Sequence, residues 1–318
     1  MWVVAGIESD ESLSVSVVIP SIGRGVLAEV VAQALAQGAA EVVVVADAHP
    51  EVVDQVLTDA GLMRDARLRV LRGSGRGAAP ARQCGVDAVT GDLVLLLDDD
   101  VVPGPDLIAG HRRAHSVGPD RVVVGYMPVA PDLIARRVTA VIYSNDYEAE
   151  CRLLDADPTR VLHQLWAGNL SMRRRDCERV PQAVDTFLGL PREDEEFGFR
   201  CLRAGLVGVF DRSLVAVHFH DRSVAAFLAL ARAQAGASYR LHEQYPDLVE
   251  IGDPTAGLPA PARWFVRAAL VPVIGTVLRG VVVRIAEWLG RGVPTRLRVR
   301  AVAFARAVVQ AAAEAELS

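Results

Sequence analysis

Three carboxylates in a row, Asp98-Asp99-Asp100, close an apolar run at residues 92–97. Adjacent acids at the end of a buried strand repel one another, and burying one of them unpaired costs several kcal/mol. A hard divalent cation relieves that repulsion: it takes oxygen ligands and bridges one or two carboxylates to diphosphate oxygens. The alternative is a solvated turn or helix cap leading into Val101-Val102-Pro103. A second acidic run, Glu193-Asp194-Glu195-Glu196, opens a stretch with helical spacing. The helix dipole favours negative charge there, so a first-turn role accounts for some of these acids. Successive helical residues point in different directions, however, so the four cannot share one solvated face. His218 and His220 flank Phe219, and a period of two puts both rings on one side of an extended chain, in reach of a ligand. The alternative for either is a satisfied structural histidine.

These residues need a frame. The first hundred positions alternate between β-branched apolar runs (13–20, 41–46, 67–71 and 92–97) and stretches of helical spacing (25–37, 50–60 and 78–89). Near-continuous apolar strands separated by helices predict an α/β fold with a mostly parallel sheet covered on both faces. In such sheets ligands sit beyond the carboxyl ends of the strands, which is where the acidic triplet falls. Further strands are expected at 121–126, within 166–174, at 207–210 and at 214–218, and helices at 193–204, 223–238, 264–289 and 295–315. The stretch 128–165 has no assignable pattern. Residues 252–261, with three prolines and two glycines, are the expected linker.

Six segments carry a resemblance: SVVIPSIGR (16–24), EVVVVAD (41–47), APARQCG (79–85), GDLVLLLDDD (91–100), AGNLSMRR (167–174) and EDEEFGFRCLRAG (193–205). In this order the chain resembles the family-2 glycosyltransferases of GT-A fold over roughly residues 13–222. The resemblance implies a catalytic domain at 1–222 with a C-terminal helical extension at 223–318. It also implies an inverting transfer from a nucleotide diphosphate sugar, by default a uridine diphosphate sugar, to an acceptor hydroxyl on a small molecule, a glycan or a lipid-linked sugar.

Site roles follow from the same resemblance. Pro20 and Ser21 begin the loop lining the nucleotide, and Asp47 resembles the acid that contacts base or ribose, although a helix cap before Pro50 is its ordinary alternative. Arg82 stands near the nucleotide, followed by Gln83 where the family commonly has Asn. Asp98 resembles the ribose-side ligand, Asp100 the ligand of a divalent metal (Mn2+ or Mg2+), and Asp99 serves either side. Asp194 is the implied general base, with Glu193 and Glu196 orienting its neighbours and Glu195 solvated. Trp166, Gly168 and Asn169 resemble the loop beneath sugar and acceptor, Trp166 having a core role as its alternative. His220, and behind it His218, is expected to approach the metal or diphosphate.

The totals exclude other classes. All 34 cationic residues are arginine, so neither a lysine Schiff base nor a phosphate-loop lysine is available. A net charge of -5 argues against nucleic acid as a partner. Four scattered cysteines without a CxxC pair argue against a disulfide framework or zinc site, and point to a reducing cytoplasm. Acids at positions 8, 10 and 11 interrupt any signal-peptide core, and the apolar run 268–278 is too short to span a bilayer. The arginine-studded C-terminal helices, which carry Trp264 and Trp288, fit a helical cap, a homodimer interface or peripheral contact with the inner face of a membrane. Rival readings of the whole chain are a sugar-nucleotide pyrophosphorylase, disfavoured by SIGRG and the lack of lysine, and a non-catalytic nucleotide-sugar-binding scaffold.

Overall fold

The structure, a computed structural model, describes residues 13–252, 260–269 and 272–317. Residues 253–259, the middle of the expected linker, lie outside the described residues, as do positions 1–12. Two compact units emerge: residues 1–128, 150–189 and 193–219 form the first, and 129–149, 190–192 and 220–318 the second.

The first unit is an eight-stranded mixed sheet with helices on its flanks. Its strands are β1 (Val15–Ser21), β2 (Glu41–Ala46), β3 (Leu68–Arg72), β4 (Leu93–Leu97), β5 (Val101–Pro103), β6 (Arg121–Tyr126), β7 (Asn169–Arg173) and β8 (Val207–His218), arranged β3-β2-β1-β4-β7-β6-β8-β5. The β1–β2, β2–β3, β1–β4 and β6–β8 pairs are parallel; β7 runs antiparallel to β4 and β6, and β5 to β8. Every residue of β1 and β4 is buried, as continuous apolar runs require of strands covered on both faces.

Helices α1 (Leu27–Ala36), α2 (Pro50–Asp59), α3 (Ala78–Ala88) and α4 (Leu107–Ser116) connect the early strands, and α7 (Arg174–Arg179) and α8 (Glu193–Arg203) flank the later ones. One core holds Val18, Val43, Val94, Leu96, Leu170 and Met172 from the strands against Ala81 and Val86 of α3 and Phe197 and Cys201 of α8. A Cβ on Gly85 would stand 2.3 Å from Val18 Cγ1, so only glycine lets α3 lie this close to β1. Arg82, one turn earlier on the same helix face, is thereby aimed at the carboxyl end of the sheet.

Several elements depart from the sequence expectation. The strands expected at 207–210 and 214–218 are one strand, β8, whose pairing with β6 is irregular at Gly125/Tyr126. The short β5 was not anticipated. The unassigned stretch contains α5 (Pro131–Arg136) and α6 (Val138–Ala156).

The second unit is helical. It contains α5, the first part of α6, α9 (Val224–Gln244), α10 (Ala260–Ala269), α11 (Pro272–Gly290) and α12 (Arg296–Ala315), so the helix expected at 264–289 is two. Val138 and Ile142 pack with Val224, Phe227, Leu228, Ala286 and Val302, and Val266 with Val308 and Ala311. Arg137 Nε pairs with Asp221 at 2.8 Å.

A buried polar chain links α4 to one face of the first unit's sheet. On α4, His111 and His115 are four apart and share a face. Ser171 Oγ of β7 meets His111 Nδ1 at 2.8 Å and His115 Nε2 at 2.9 Å, and His111 Nε2 meets Asn169 Oδ1 at 2.9 Å. Burial pushes His111 down to about 4, and burial, with neighbouring His111 and Arg173, pushes His115 down to about 3. Both rings are therefore neutral in the fold, while unfolded histidines protonate near 6.5. As pH falls below about 6.5 the unfolded chain takes up protons at these two histidines that the folded one does not, so their contribution to stability is complete above that pH and is lost as pH falls toward about 3. Urea titrations across this range should show a loss of a few kcal/mol, and His115→Gln should flatten the slope. A His115→Gln variant with the same pH dependence as the native chain would contradict the assignment.

Candidate active site at the carboxyl ends of the central strands

Strands β1, β2 and β4 are parallel neighbours, so the segments that follow them open on one edge of the sheet: 22–26 after β1, 47–49 after β2, and Asp98-Asp99-Asp100 after β4. The triplet is pinned by its backbone. Asp98 N–H donates to Gly168 C=O at 3.2 Å, Val101 N–H to Asp98 C=O at 3.1 Å, and Phe219 N–H to Asp100 C=O at 2.8 Å. A Cβ on Gly168 would come within 2.9 Å of Asp98 Oδ2, so a side chain there would displace the Asp98 carboxylate.

The three carboxylates diverge into different tasks. Asp99 is buried and turned onto the β1 loop: its Oδ2 accepts from Ser21 Oγ at 2.8 Å and Ile22 N–H at 3.0 Å, and its Oδ1 pairs with Arg24 Nη1 at 2.7 Å. Arg24 Nη1 also reaches Asp100 Oδ2 at 2.9 Å. Burial works against the Arg24 charge, but Asp100, Asp99 and Asp98 outweigh it and leave its pKa above the ordinary arginine value. Asp98 Oδ1 is held at 2.7 Å by Arg82 Nη2.

Arg82 is the second junction. Its guanidinium is buried, and Nη1 meets Asp194 Oδ1 at 2.8 Å and Glu193 Oε1 at 3.9 Å. Burial disfavours this charge, yet Asp194, Asp98 and Glu193 more than reverse the effect and raise its pKa. The far oxygen of Asp194 accepts from Ala167 N–H at 3.0 Å, so both of its oxygens are oriented. For Glu193, burial dominates, Arg82 opposes it and Asp194 adds to it; the carboxyl is pushed up to about 7. Glu196 faces inward, where Arg200 Nε contacts both of its oxygens at 2.9 Å.

The remaining predicted residues are distributed unevenly. Pro20 is buried at the end of β1. Asp47 does not cap α2, whose N-cap is His49; its carboxylate instead accepts from Gly75 N–H and Gly77 N–H, each at 2.9 Å, tying the glycine-rich loop to the end of β2. Trp166 Nε1 donates to Gly125 C=O at 3.3 Å and its ring meets Phe210 edge-on at 5.8 Å. Asn169 is fully buried, its amide shared between His111 and Leu214 C=O. His220 belongs to the second unit, where it stacks on Tyr143 at 3.9 Å between centroids.

His218, at the end of β8, places Nε2 3.7 Å from Asp100 Oδ1. Among the described residues no group of three or more His, Cys, Asp or Glu side chains forms a ready metal cage. Sequence reasoning passed over Arg24. With no lysine in the chain, the sequence says only that a strong counter-charge for the triplet is an arginine; which one depends on β1 lying beside β4.

The family model described as glycosyl transferase family 2 matches residues 16–179, more than half of the chain. The chain belongs to glycosyl transferase family 2. The match holds β1 through β7 and α7, and so includes both junction arginines and the whole triplet; Glu193 and Asp194 lie beyond it.

The family assignment agrees with the other relatives. A Haloferax volcanii protein named glucosyl-dolichyl phosphate glucuronosyltransferase is 36% identical over 97 residues, covering 30% of this chain and 30% of the relative. The mannosyltransferase PcManGT from Pyrobaculum calidifontis, solved with GDP-Man and Mn2+, superposes with a TM-score of 0.58 at 16% identity over 93% of this chain and 86% of its own. TarS residues 1–349 from S. aureus, solved with UDP-GlcNAc, gives 0.50 at 13% identity over 93% and 90%. These structures share the GT-A fold: a mixed sheet flanked by helices, with a helical region after it.

If the family-2 site is assembled around Arg82, removing its charge leaves Asp98, Asp194 and Glu193 facing one another. Arg82→Met should lower unfolding free energy by about 3–5 kcal/mol in urea titrations at neutral pH. A loss within the ordinary surface range of about 0.5 kcal/mol would show that the junction does not hold the site together.

Proposed function

We propose that the protein transfers a sugar from a nucleotide diphosphate donor to an acceptor hydroxyl, with inversion at the anomeric carbon. The observation that carries the reading is Arg82 joining Asp98, at the end of β4, to Asp194, at the start of α8. One guanidinium fixes the distance between a carboxylate on the donor side and one on the acceptor side. Asp47 and the glycine loop it ties down lie at the end of β2, where a base or ribose is expected. Gly168 keeps the floor of the site low against Asp98.

Charge supports a metal. Asp98, Asp99, Asp100, Glu193 and Asp194 bring five carboxyl groups against two guanidiniums, and a diphosphate would add to the excess. Asp100 Oδ1 and His218 Nε2, 3.7 Å apart, are oxygen and nitrogen donors spaced to share one ion, and Mg2+ or Mn2+ commonly uses only one or two protein ligands beside substrate phosphates. Bound there, such an ion would stabilise the charge that develops on the leaving diphosphate. The protein's own residues do the rest: Arg24 steadies Asp99 and Asp100, Asp98 faces the ribose, and Asp194 takes the acceptor's proton on the opposite face of the sugar. Uridine diphosphate is the default carrier. The acceptor is a small molecule, a glycan or a lipid-linked sugar, the last in keeping with the name of the Haloferax relative.

A second assignment of the base has its own support, because Glu193, pushed up to about 7, titrates where a general base is best poised. Substitution separates the two. With Asp194 as base, Asp194→Asn lowers kcat by roughly 10²–10⁴-fold while donor binding persists, and Glu193→Gln retains most turnover. The reverse pattern, with native kcat/KM rising through about pH 7, moves the role to Glu193. Asp100→Asn should weaken metal-dependent nucleotide binding by about tenfold or more, read by thermal shift with uridine, guanosine and thymidine diphosphates. Failure of every donor to release nucleoside diphosphate, with or without manganese, would leave the non-catalytic scaffold as the better reading.

A further inference from the structure

The C-terminal helices carry a charge imbalance that the chemistry above does not use. Between Ala260 and Leu317 the sequence has nine arginines and three acids, Glu287, Glu314 and Glu316, a net of +6, so the remainder of this -5 chain carries -11. Within that segment, α11 leaves large apolar side chains in solvent: Val277 is 68% exposed, Val281 47%, Ile285 51% and Trp288 70%. Spaced at i, i+4, i+8 and i+11, they fall within one narrow arc of the helix. Arg284 lies next to this arc, Arg291 follows directly after the helix, and both are exposed. The opposite side of α11 is spent on packing, where Ala286 is buried against α9 and α12 residues. Trp264 on α10, 73% exposed, adds a second solvent-facing indole in the same unit.

Beside this stripe runs a groove of about 580 Å³, walled by Leu228, Val283 and Ala312 and bordered by Arg232, Arg279 and Arg284. Glu287 also lines the groove, and Arg232 and Arg279 pair with Glu316 at 2.8 and 3.7 Å, so it is the stripe on α11 that presents apolar surface beside exposed guanidinium groups. No described helix is long and apolar enough to cross a membrane, so burial of this face across a bilayer is not the use of it.

We propose that the exposed face of α11, Val277, Val281, Ile285 and Trp288 with Arg284 beside them and Arg291 just past the helix end, docks the protein onto an anionic phospholipid surface. The apolar side chains and the Trp288 indole enter the boundary between headgroups and acyl chains, while the guanidiniums remain at the phosphates. Each arginine near such a surface adds about 1 kcal/mol of attraction, which salt screens. A second copy of the chain is the poorer occupant: a two-fold contact through this face sets Arg284 and Arg291 against the same residues of the partner, placing like charges together.

Vesicle co-sedimentation of the full chain tests this independently of catalysis, using phosphatidylcholine alone and an equal mixture of phosphatidylcholine and phosphatidylglycerol. The protein should bind the mixed vesicles, bind neutral ones weakly, and be released as ionic strength rises. Arg284→Glu/Arg291→Glu and Ile285→Ser/Trp288→Ser should each lower the partition coefficient roughly tenfold or more. All four residues are exposed, so melting temperature and nucleotide binding should stay native in both variants. The proposal is overturned if the native chain ignores the anionic vesicles, if it binds neutral ones equally, or if both variants bind as the native chain does. It is equally overturned if light scattering shows a dimer that Ile285→Ser/Trp288→Ser dissociates while vesicle binding is absent.

Discussion

Two guanidiniums decide how the acidic edge of this sheet is built. Arg24 reaches Asp99 and Asp100, and Arg82 reaches Asp98 and Asp194, so every carboxylate of the triplet is engaged by a cation from another element. Without them, acids from β4 and α8 would be brought together in a partly buried place against their mutual repulsion, and folding would have to spread them apart. The two junctions differ in weight. Arg82 is buried, so its interactions are little screened, whereas Arg24 is 39% exposed at its side chain and contributes less per contact. Arginine suits both positions, because it holds two carboxylates at once, through Nη1 and Nη2 at Arg82 and through Nη1 alone at Arg24, and stays charged in a partly apolar setting.

The same site shows how one short acidic run divides its labour. Consecutive residues leaving a strand point in different directions, so Asp98, Asp99 and Asp100 cannot do the same job. Asp99 turns inward and organises the loop after β1 through Ser21 and Ile22. Asp100 keeps Oδ1 toward His218, and Asp98 faces Arg82. On the acceptor side, Asp194 is oriented by two donors, while its neighbour Glu193, largely buried and farther from Arg82 at 3.9 Å, is held near neutrality by that burial. Position rather than residue type separates these five acids.

Much of this was legible in the sequence and some was not. The strands β1, β2, β4 and β6 announce themselves as β-branched or leucine-rich runs, because full burial on both faces permits nothing else. The acids of the site and Arg82 were visible as motifs. Arg24 was not singled out, since its meaning depends on β1 lying beside β4, which is a tertiary fact. Asn169 looked like a substrate contact from its loop motif, yet its amide belongs to the His111 chain under the sheet. The three-residue β5 is too short to leave a periodic signal, and β8 reads as two strands because Asp211, Arg212 and Ser213 interrupt its apolar pattern. Across 128–165 the weak amphipathicity of α6 gave no face to follow, because that helix contributes to both compact units.

The claim that arginine-bridged carboxylates assemble the site is tested most directly by a double-mutant cycle between Arg82 and Asp98, read as unfolding free energies of the native chain, Arg82→Met, Asp98→Asn and the double variant. If the bridge operates as the geometry indicates, part of the penalty of Arg82→Met disappears once Asp98 is already neutral, and the double variant is more stable than the sum of the single losses by about 1 kcal/mol or more. Additive losses, agreeing within about 0.5 kcal/mol, would contradict it.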